Sequence, residues 1–190
     1  MKKTFLAIVA LAFVASSASA LSFSWSATKV AFDGNQLKND TAITGYLIYL
    51  SSGSFDSSYT ISESSTGNSV ASSIGTLVSS ASKTTAVAKI AGTASFDYGE
   101  YTNGDVFGLL LTYTGSDGKT YFNLSQTTYT LSGITSETSS PDAAAFTMSY
   151  SGPTEKTSVS SGGGWTAVPE PSTAALALAG LALLLKRRKA

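Results

Sequence analysis

The chain has 190 residues, with 12 basic and 12 acidic side chains and neither His nor Cys. This composition excludes Ser-His-Asp and Cys-His catalysis, zinc sites built from Cys or His, and disulfide frameworks. A metal ion would have to be held by carboxylates, carbonyls and water, the ligands typical of Ca²⁺ or Mg²⁺. The length suits one domain with additional segments at its ends.

The balanced total charge conceals an uneven distribution, because half of the basic residues lie at the two ends of the chain. Residues 21–168 contain six Lys and eleven acidic side chains, a net charge of −5. A body of that charge repels phosphate backbones, so we expect no nucleic-acid partner.

The first twenty residues have the three-part form of a secretory signal peptide. Met1-Lys2-Lys3 is basic, residues 5–14 are apolar, and the small residues Ala18 and Ala20 occupy the −3 and −1 positions of a cut after Ala20. A buried N-terminal helix is the alternative, but it does not explain the Ala-Ser run that ends the apolar stretch. We therefore predict that residues 1–20 are a signal peptide, exported by the Sec machinery and removed by signal peptidase.

Residues 21–157 are predicted to form a β-rich extracytoplasmic domain. Apolar and hydroxyl side chains alternate over residues 21–28, which is typical of a half-buried strand. The continuous apolar run at 46–50 favours a central strand covered on both faces. Two further strands are predicted at 84–90 and 144–150. The fold class is mainly β, an antiparallel β-sandwich or jelly-roll-like domain with one short helix.

The short helix is predicted in a segment whose pattern fits two structures. One helical stripe is formed by Val70, Ile74, Leu77, Val78 and Ala81, in a helix beginning near residue 68 or 69. A strand over 70–78 also fits, but it would bury two hydroxyls. We favour the helix.

A β-hairpin is predicted over residues 106–126, because Asp117-Gly118 favours a two-residue type I′ turn. That turn sets a register in which one face carries the apolar pairs Leu111–Leu124 and Tyr113–Phe122. The other face then carries the mostly polar pairs Thr112–Asn123 and Thr114–Tyr121. Turn chemistry and hydrophobic pattern agree in this arrangement.

Two groups of acidic residues invite a catalytic or metal-binding interpretation. Asp97, Glu100 and Asp105 flank a Tyr- and Gly-containing segment, and we favour a loop there over a glycosidase or Ca²⁺ site. Asp33-Gly34-Asn35 opens a stretch similar to a calcium loop. Because that stretch lacks the glycine at position six and the acidic residue at position twelve, we predict a turn instead. We predict no catalytic residue, no metal ligand and no cofactor.

Aromatic residues at strand spacing are interpreted as core rather than as a sugar-stacking platform: Trp25, Tyr46, Tyr49, Tyr98, Tyr101 and Tyr121. Asn39-Asp40-Thr41 and Asn123-Leu124-Ser125 match the N-glycosylation pattern. Ser and Thr supply 51 of the 148 residues in 21–168, so such matches arise by chance and we expect neither to be used.

The last 33 residues divide into a linker and a second targeting segment. Residues 158–167 are rich in Gly and Ser and predict a flexible linker. The segment 168–190 follows, in which Ser172 can cap an apolar helix over 172–185. Fourteen helical residues span about 21 Å, a marginal transmembrane length against a bilayer core of about 30 Å. A basic stop-transfer cluster completes the chain and would stay cytoplasmic: Lys186, Arg187, Arg188 and Lys189.

The order of Val168-Pro169-Glu170-Pro171, a short apolar helix and a basic end resembles the PEP-CTERM sorting signal of Gram-negative, exopolysaccharide-producing bacteria. The resemblance covers residues 168–190 and is compatible with the signal peptide. It implies that an exosortase, a membrane cysteine protease-transpeptidase, recognises Pro169–Pro171 and cuts nearby. The tail would remain in the inner membrane and the body would continue to the cell surface or the extracellular matrix.

We therefore expect an exported, non-enzymatic cell-surface or matrix protein that has exosortase as its processing partner and exopolysaccharide as a further candidate partner. One alternative is an uncleaved single-pass membrane protein with a periplasmic β domain. A second alternative is an exported carbohydrate-binding module or glycosidase that uses Asp97, Glu100 or Asp105.

Overall fold

A computed structural model describes residues 20–38, 43–82 and 88–169. Within these ranges the chain forms fourteen strands and one helix, and most of the strands are short. In chain order the elements are β1 (Ala20–Thr28), β2 (Ala31–Phe32), β3 (Asn35–Gln36), β4 (Ile43–Tyr49), β5 (Tyr59–Thr60), α1 (Gly67–Ile74), β6 (Thr76–Ser82), β7 (Lys89–Asp97), β8 (Val106–Thr114), β9 (Thr120–Leu124), β10 (Tyr129–Thr130), β11 (Ala144–Phe146), β12 (Thr154–Glu155), β13 (Ser158–Val159) and β14 (Thr166–Ala167).

Seven strands form a large sheet in the order β12-β14-β9-β8-β4-β6, with β10 paired to β8. The central strand β8 is antiparallel to both of its neighbours, β4 and β9. Every residue of β8 from Phe107 to Thr112 is buried, because other elements cover both faces of the sheet. The predicted central strand at 46–50 is confirmed, since β4 lies between β8 and β6.

Three strands form a small sheet in the order β11-β1-β7. β1 pairs with β7 over nine residues, from Ala20 opposite Asp97 to Thr28 opposite Lys89. The predicted strand at 21–28 is confirmed. The one predicted at 144–150 is shorter, because only β11 forms, parallel to β1. Of the strand predicted at 84–90, the described part enters β7, which continues to Asp97; residues 83–87 lie outside the described residues.

The two sheets pack face to face, which confirms the β-sandwich. The inward residues of β1 meet the inward residues of β4 and β8 in one core, and the ring of Phe23 lies 5.5 Å from that of Phe107 in an edge-on contact. A second core lies on the opposite face of the large sheet, beneath α1 and the β5–β13 pair. Its most buried members are Ile48, Val70, Ala71, Leu110, Phe122, Leu124 and Val159.

The segment predicted as one helix divides into a helix and a strand. Thr66 caps α1 in a capping box with Ser69, and the helix ends at Ile74. The helix prediction is therefore right up to Ile74 and wrong beyond it, where β6 follows and matches the strand alternative. Gly75 permits the change of direction, because a Cβ at this position would lie 2.2 Å from the backbone oxygen of Tyr49.

The predicted hairpin forms, but the predicted register differs from the observed one by one residue. Leu110 pairs with Leu124 and Leu111 pairs with Asn123. The loop is longer than two residues: Gly118 donates to the Gly115 carbonyl, and Gly118 alone in this loop has a positive φ, of 78°. A shift of one residue exchanges the faces of β9 relative to those of β8, so the predicted apolar and polar faces are also wrong. Both faces are apolar because both are buried.

A two-residue Asp-Gly turn does occur, at Asp33-Gly34 between β2 and β3. Both residues have positive φ angles, 47° and 73°, as a type I′ turn requires. The turn predicted at residues 33–35 is therefore confirmed.

Candidate functional site

The predicted processing motif begins at the end of the last strand of the large sheet. β14 pairs antiparallel with β9 and parallel with β12. The amide of Val168 then donates to the Thr120 carbonyl at 3.3 Å. Val168 and Pro169 are therefore attached directly to the folded domain. Glu170 and Pro171, the helix predicted over 172–185 and the basic cluster from Lys186 to Lys189 lie outside the described residues.

Trp165 anchors this C-terminal segment in the core. Its side chain is fully buried, and its indole N–H donates to the Ala31 carbonyl at 2.6 Å. The ring packs edge-on against Phe32 and Tyr113, with centroid distances of 5.7 and 6.0 Å. Its backbone amide also donates to the Ser151 carbonyl at 2.8 Å. Side chain and backbone together fix the position from which the motif leaves the domain.

The linker prediction for residues 158–167 is therefore wrong, because this segment contains β13 and β14 and belongs to the fold. Its glycines allow close packing: Gly164 has a φ of 77°, and a Cβ there would lie 2.2 Å from the Ser151 oxygen. Trp165 was the signal in the sequence against a linker, since a flexible tether has no use for a large apolar side chain. The domain extends at least to Pro169 rather than ending at 157.

A shallow groove of about 250 Å³ borders the point where the motif leaves the domain. We call it the exit groove. Lys119 lies on one side, where its ammonium contacts the Glu155 carboxylate at 2.8 Å. The groove therefore combines backbone, hydroxyl and charged groups of both signs. Its lining residues are Glu63, Ser65, Gly118, Lys119, Thr120, Val168 and Pro169.

The carboxylates considered for catalysis or calcium binding hold a loop together. Glu100 accepts a hydrogen bond from the Asp97 amide at 3.2 Å, and Asp105 accepts one from the Thr102 amide at 2.7 Å. The negative charge of Asp105 raises the pKa of Tyr49, and burial and a hydrogen bond to the same carboxylate act in the same direction. Among the described residues, no three His, Cys, Asp or Glu side chains are grouped to hold a metal ion.

The aromatic residues mostly belong to the core, as predicted. Trp25, Tyr101 and Tyr121 are buried, and Tyr46 and Tyr49 are half-buried. Tyr98 is the exception among these six, with 47% of its surface exposed.

Asn123, the acceptor residue of one of the two N-glycosylation patterns, is fully buried in β9. Its amide nitrogen donates to the Ser149 carbonyl at 2.7 Å. The folded domain therefore does not present this side chain to a modifying enzyme. The other acceptor, Asn39, lies outside the described residues.

The predicted signal-peptide cut falls at the start of β1. Ala20 is exposed and Leu21 is the first buried residue of the strand, so a cut after Ala20 would leave every buried residue of β1 in place. Ala18 lies outside the described residues, and the signal peptide itself stays a prediction. Across the described ranges, the structure contains no helix with the length and apolar character needed to cross a bilayer.

A comparison with protein families finds one match, the PEP-CTERM protein-sorting motif, over residues 167–189. The match confirms the resemblance of the C-terminal segment and begins at Ala167, the last residue of β14. Comparisons with curated proteins and with solved structures give no match. The motif marks an exported protein with an exosortase as its processing partner.

Proposed function

Because the chain carries a PEP-CTERM motif, we propose that it is a non-enzymatic structural or adhesive protein of the cell surface or extracellular matrix. The observation that carries the proposal is the match over residues 167–189, joined without a linker to a folded β domain. Sec-dependent export would be followed by an inner-membrane-anchored precursor, and an exosortase would cut near Pro169–Pro171.

The chemistry of the domain supports a role without catalysis. The sequence lacks His and Cys, and the described carboxylates at Glu100 and Asp105 serve as hydrogen-bond acceptors within their own loop. These hydrogen bonds stabilise a turn, whereas a glycosidase needs an acid and a base on either side of a cleft.

The outer face of the small sheet supports a polysaccharide-rich matrix as the destination. Hydroxyl side chains lie along the outer face of its two long strands, and all but one of them are exposed; the charged side chains Lys89 and Asp97 lie at the two ends of β7. The middle of this surface is uncharged and can exchange hydrogen bonds with sugar hydroxyls. The hydroxyl residues are Ser22, Ser24, Ser26 and Thr28 on β1, and Thr93 and Ser95 on β7.

The test is the mass of the C-terminal peptide in membrane and surface fractions of the native host. We expect a surface form that ends near Pro169–Pro171 and a membrane-bound precursor that ends at Ala190. An intact tail found only in the membrane fraction would instead support the uncleaved single-pass protein.

The double variant Pro169→Ala with Glu170→Ala tests the same proposal by removing the motif. We expect the precursor to accumulate in the membrane while the melting temperature of the domain stays unchanged. Normal delivery of this variant to the surface would contradict exosortase sorting.

A further inference from the structure

We propose that the exit groove is the surface of the domain that contacts the exosortase while the enzyme holds the motif. This inference rests on the proposed function and adds a second recognition element to the Pro-Glu-Pro sequence. The processing enzyme would then recognise a folded surface together with a linear motif.

The first argument is the short distance between the domain and the motif. Val168 is held by its hydrogen bond to the Thr120 carbonyl, and Pro171 follows three residues later. Three extended residues reach at most about 11 Å. An enzyme that closes around Pro169–Pro171 must therefore come within a few ångströms of the residues beside Val168.

The second argument is that releasing β14 from the sheet cannot readily lengthen the free chain between the domain and the motif. Peeling beyond Thr166 would withdraw Trp165 from the core and break its bonds to Ala31 and Ser151. At most the residues after Trp165 can separate from the sheet without this loss. The exit groove therefore stays close to the motif during the reaction.

The third argument is that charged and polar groups line the groove. Glu63 is exposed on its rim, and the Lys119–Glu155 ion pair lies beside it. Exposed charges and backbone groups suit the polar, extramembrane surface of a membrane enzyme, where a mixed charge pattern fixes orientation. An apolar groove would instead suit burial against lipid.

The experiment places bulk in the groove of the full-length precursor, expressed in its own host. Glu63→Trp fills the rim without changing a buried residue. Asp97→Trp is the matched control, because ring contacts from Phe96 through Tyr101 to Phe107 place Asp97 by the start of β8. The exit groove lies beside the opposite end of that strand, where the 115–119 loop joins β8 to β9. The rate at which precursor becomes processed form is measured by pulse-chase.

We expect Glu63→Trp to slow processing by about 10-fold or more, because displacing a reacting group by about 1 Å can cost about 100-fold in rate. Asp97→Trp should process at the parent rate. Inserting about 12 Gly and Ser residues between Val168 and Pro169 adds a mean span of about 19 Å. This insertion should slow processing of the parent, because it moves the groove away from the enzyme, and the parent and Glu63→Trp should then be processed at the same rate when both carry it.

Two outcomes would overturn the inference. One is equal processing of the parent and Glu63→Trp; the other is a parent with the insertion that is processed as fast as the parent without it. Melting temperatures of each variant show whether it folds. If the parent itself is not processed, or if Pro169→Ala with Glu170→Ala is processed normally, the proposed function fails instead, so the two failures are distinguishable.

Discussion

Replacing Trp165 with Ala tests whether the segment before the motif belongs to the core. The side chain is fully buried and its N–H donates to the Ala31 carbonyl at 2.6 Å. Truncating a buried Trp to Ala typically costs about 3–5 kcal/mol in the free energy of unfolding. Trp165→Phe keeps most of the ring but leaves that carbonyl without its donor, which costs about 1–3 kcal/mol.

The assays are thermal unfolding and urea unfolding of a protein spanning residues 21–169, each followed by far-ultraviolet circular dichroism. A domain of this size loses about 2–4 °C of melting temperature per kcal/mol, so Trp165→Ala should lower the melting temperature by about 6–20 °C. Trp165→Phe should fall between this variant and the parent. The same order is expected in the urea midpoints.

Two further variants calibrate the result. Trp25→Ala removes the other buried Trp, whose N–H donates to Ser79 at 2.7 Å, and should cost a similar amount. Tyr98→Ala removes a ring with 47% of its surface exposed and should stay within about 0.5 kcal/mol of the parent. If Trp165→Ala unfolds like Tyr98→Ala, the segment 158–169 is a tether and our account of its packing is wrong.

Three other changes test separate contacts. Gly164→Ala should lower the urea midpoint, because its φ of 77° is unfavourable for Ala and its Cβ would lie 2.2 Å from a backbone oxygen. Burial, with help from a hydrogen bond to Asp117, raises the pKa of Tyr121 to about 12. The stability that this shift contributes is fully present below about pH 10, the ordinary pKa of Tyr, and is lost as the pH rises through about 12. Tyr121→Phe should therefore lose less stability than the parent in unfolding curves recorded from pH 8 to 12. The same pH profile in the variant and the parent would refute this role of Tyr121. Asn123→Ala should cost about 1–3 kcal/mol because the Ser149 carbonyl loses its buried donor, and intact mass should show no glycan on Asn123 in the parent.

The long strands were predictable because their own alternation shows which face is buried. In β1 the inward Leu21, Phe23 and Trp25 alternate with serines, and the structure buries that set. β7 was harder to place because its apolar positions are small or widely spaced and its partner lies about 70 residues earlier. A register between distant strands leaves little trace in a local pattern.

The helix and the hairpin show where local pattern gives the wrong answer. The helical stripe runs unbroken from Val70 to Ala81, yet the chain changes structure at Gly75, where a side chain would strike the backbone of β4. The Asp117-Gly118 pair predicted a two-residue turn, but the loop is longer, since the Gly118 amide donates to the carbonyl of Gly115 three residues earlier. At Gly75 a tertiary neighbour decides, and the sequence does not reveal that neighbour.

The C-terminal targeting motif was predictable in full, because a linear signal is read without a fold. Its attachment to the domain was not. Glycine and serine at 160–164 are typical of a tether, and only the packing around Trp165 shows that these glycines let two backbones pass closely. The sequence therefore predicts what the tail is, while the structure shows how closely the domain approaches it.

The contact between Trp165 and Ala31 also has a consequence for the proposed export route. These residues are 134 positions apart, so the core cannot close until almost the whole domain has crossed the membrane. Only a few residues separate β14 from the predicted hydrophobic segment, which would then be reaching the translocation channel. In the proposed Sec-dependent route, the chain would therefore pass through the channel in an open state, and the sheet would be completed as the predicted anchor stops further movement. Folding and arrest of translocation would then be nearly simultaneous.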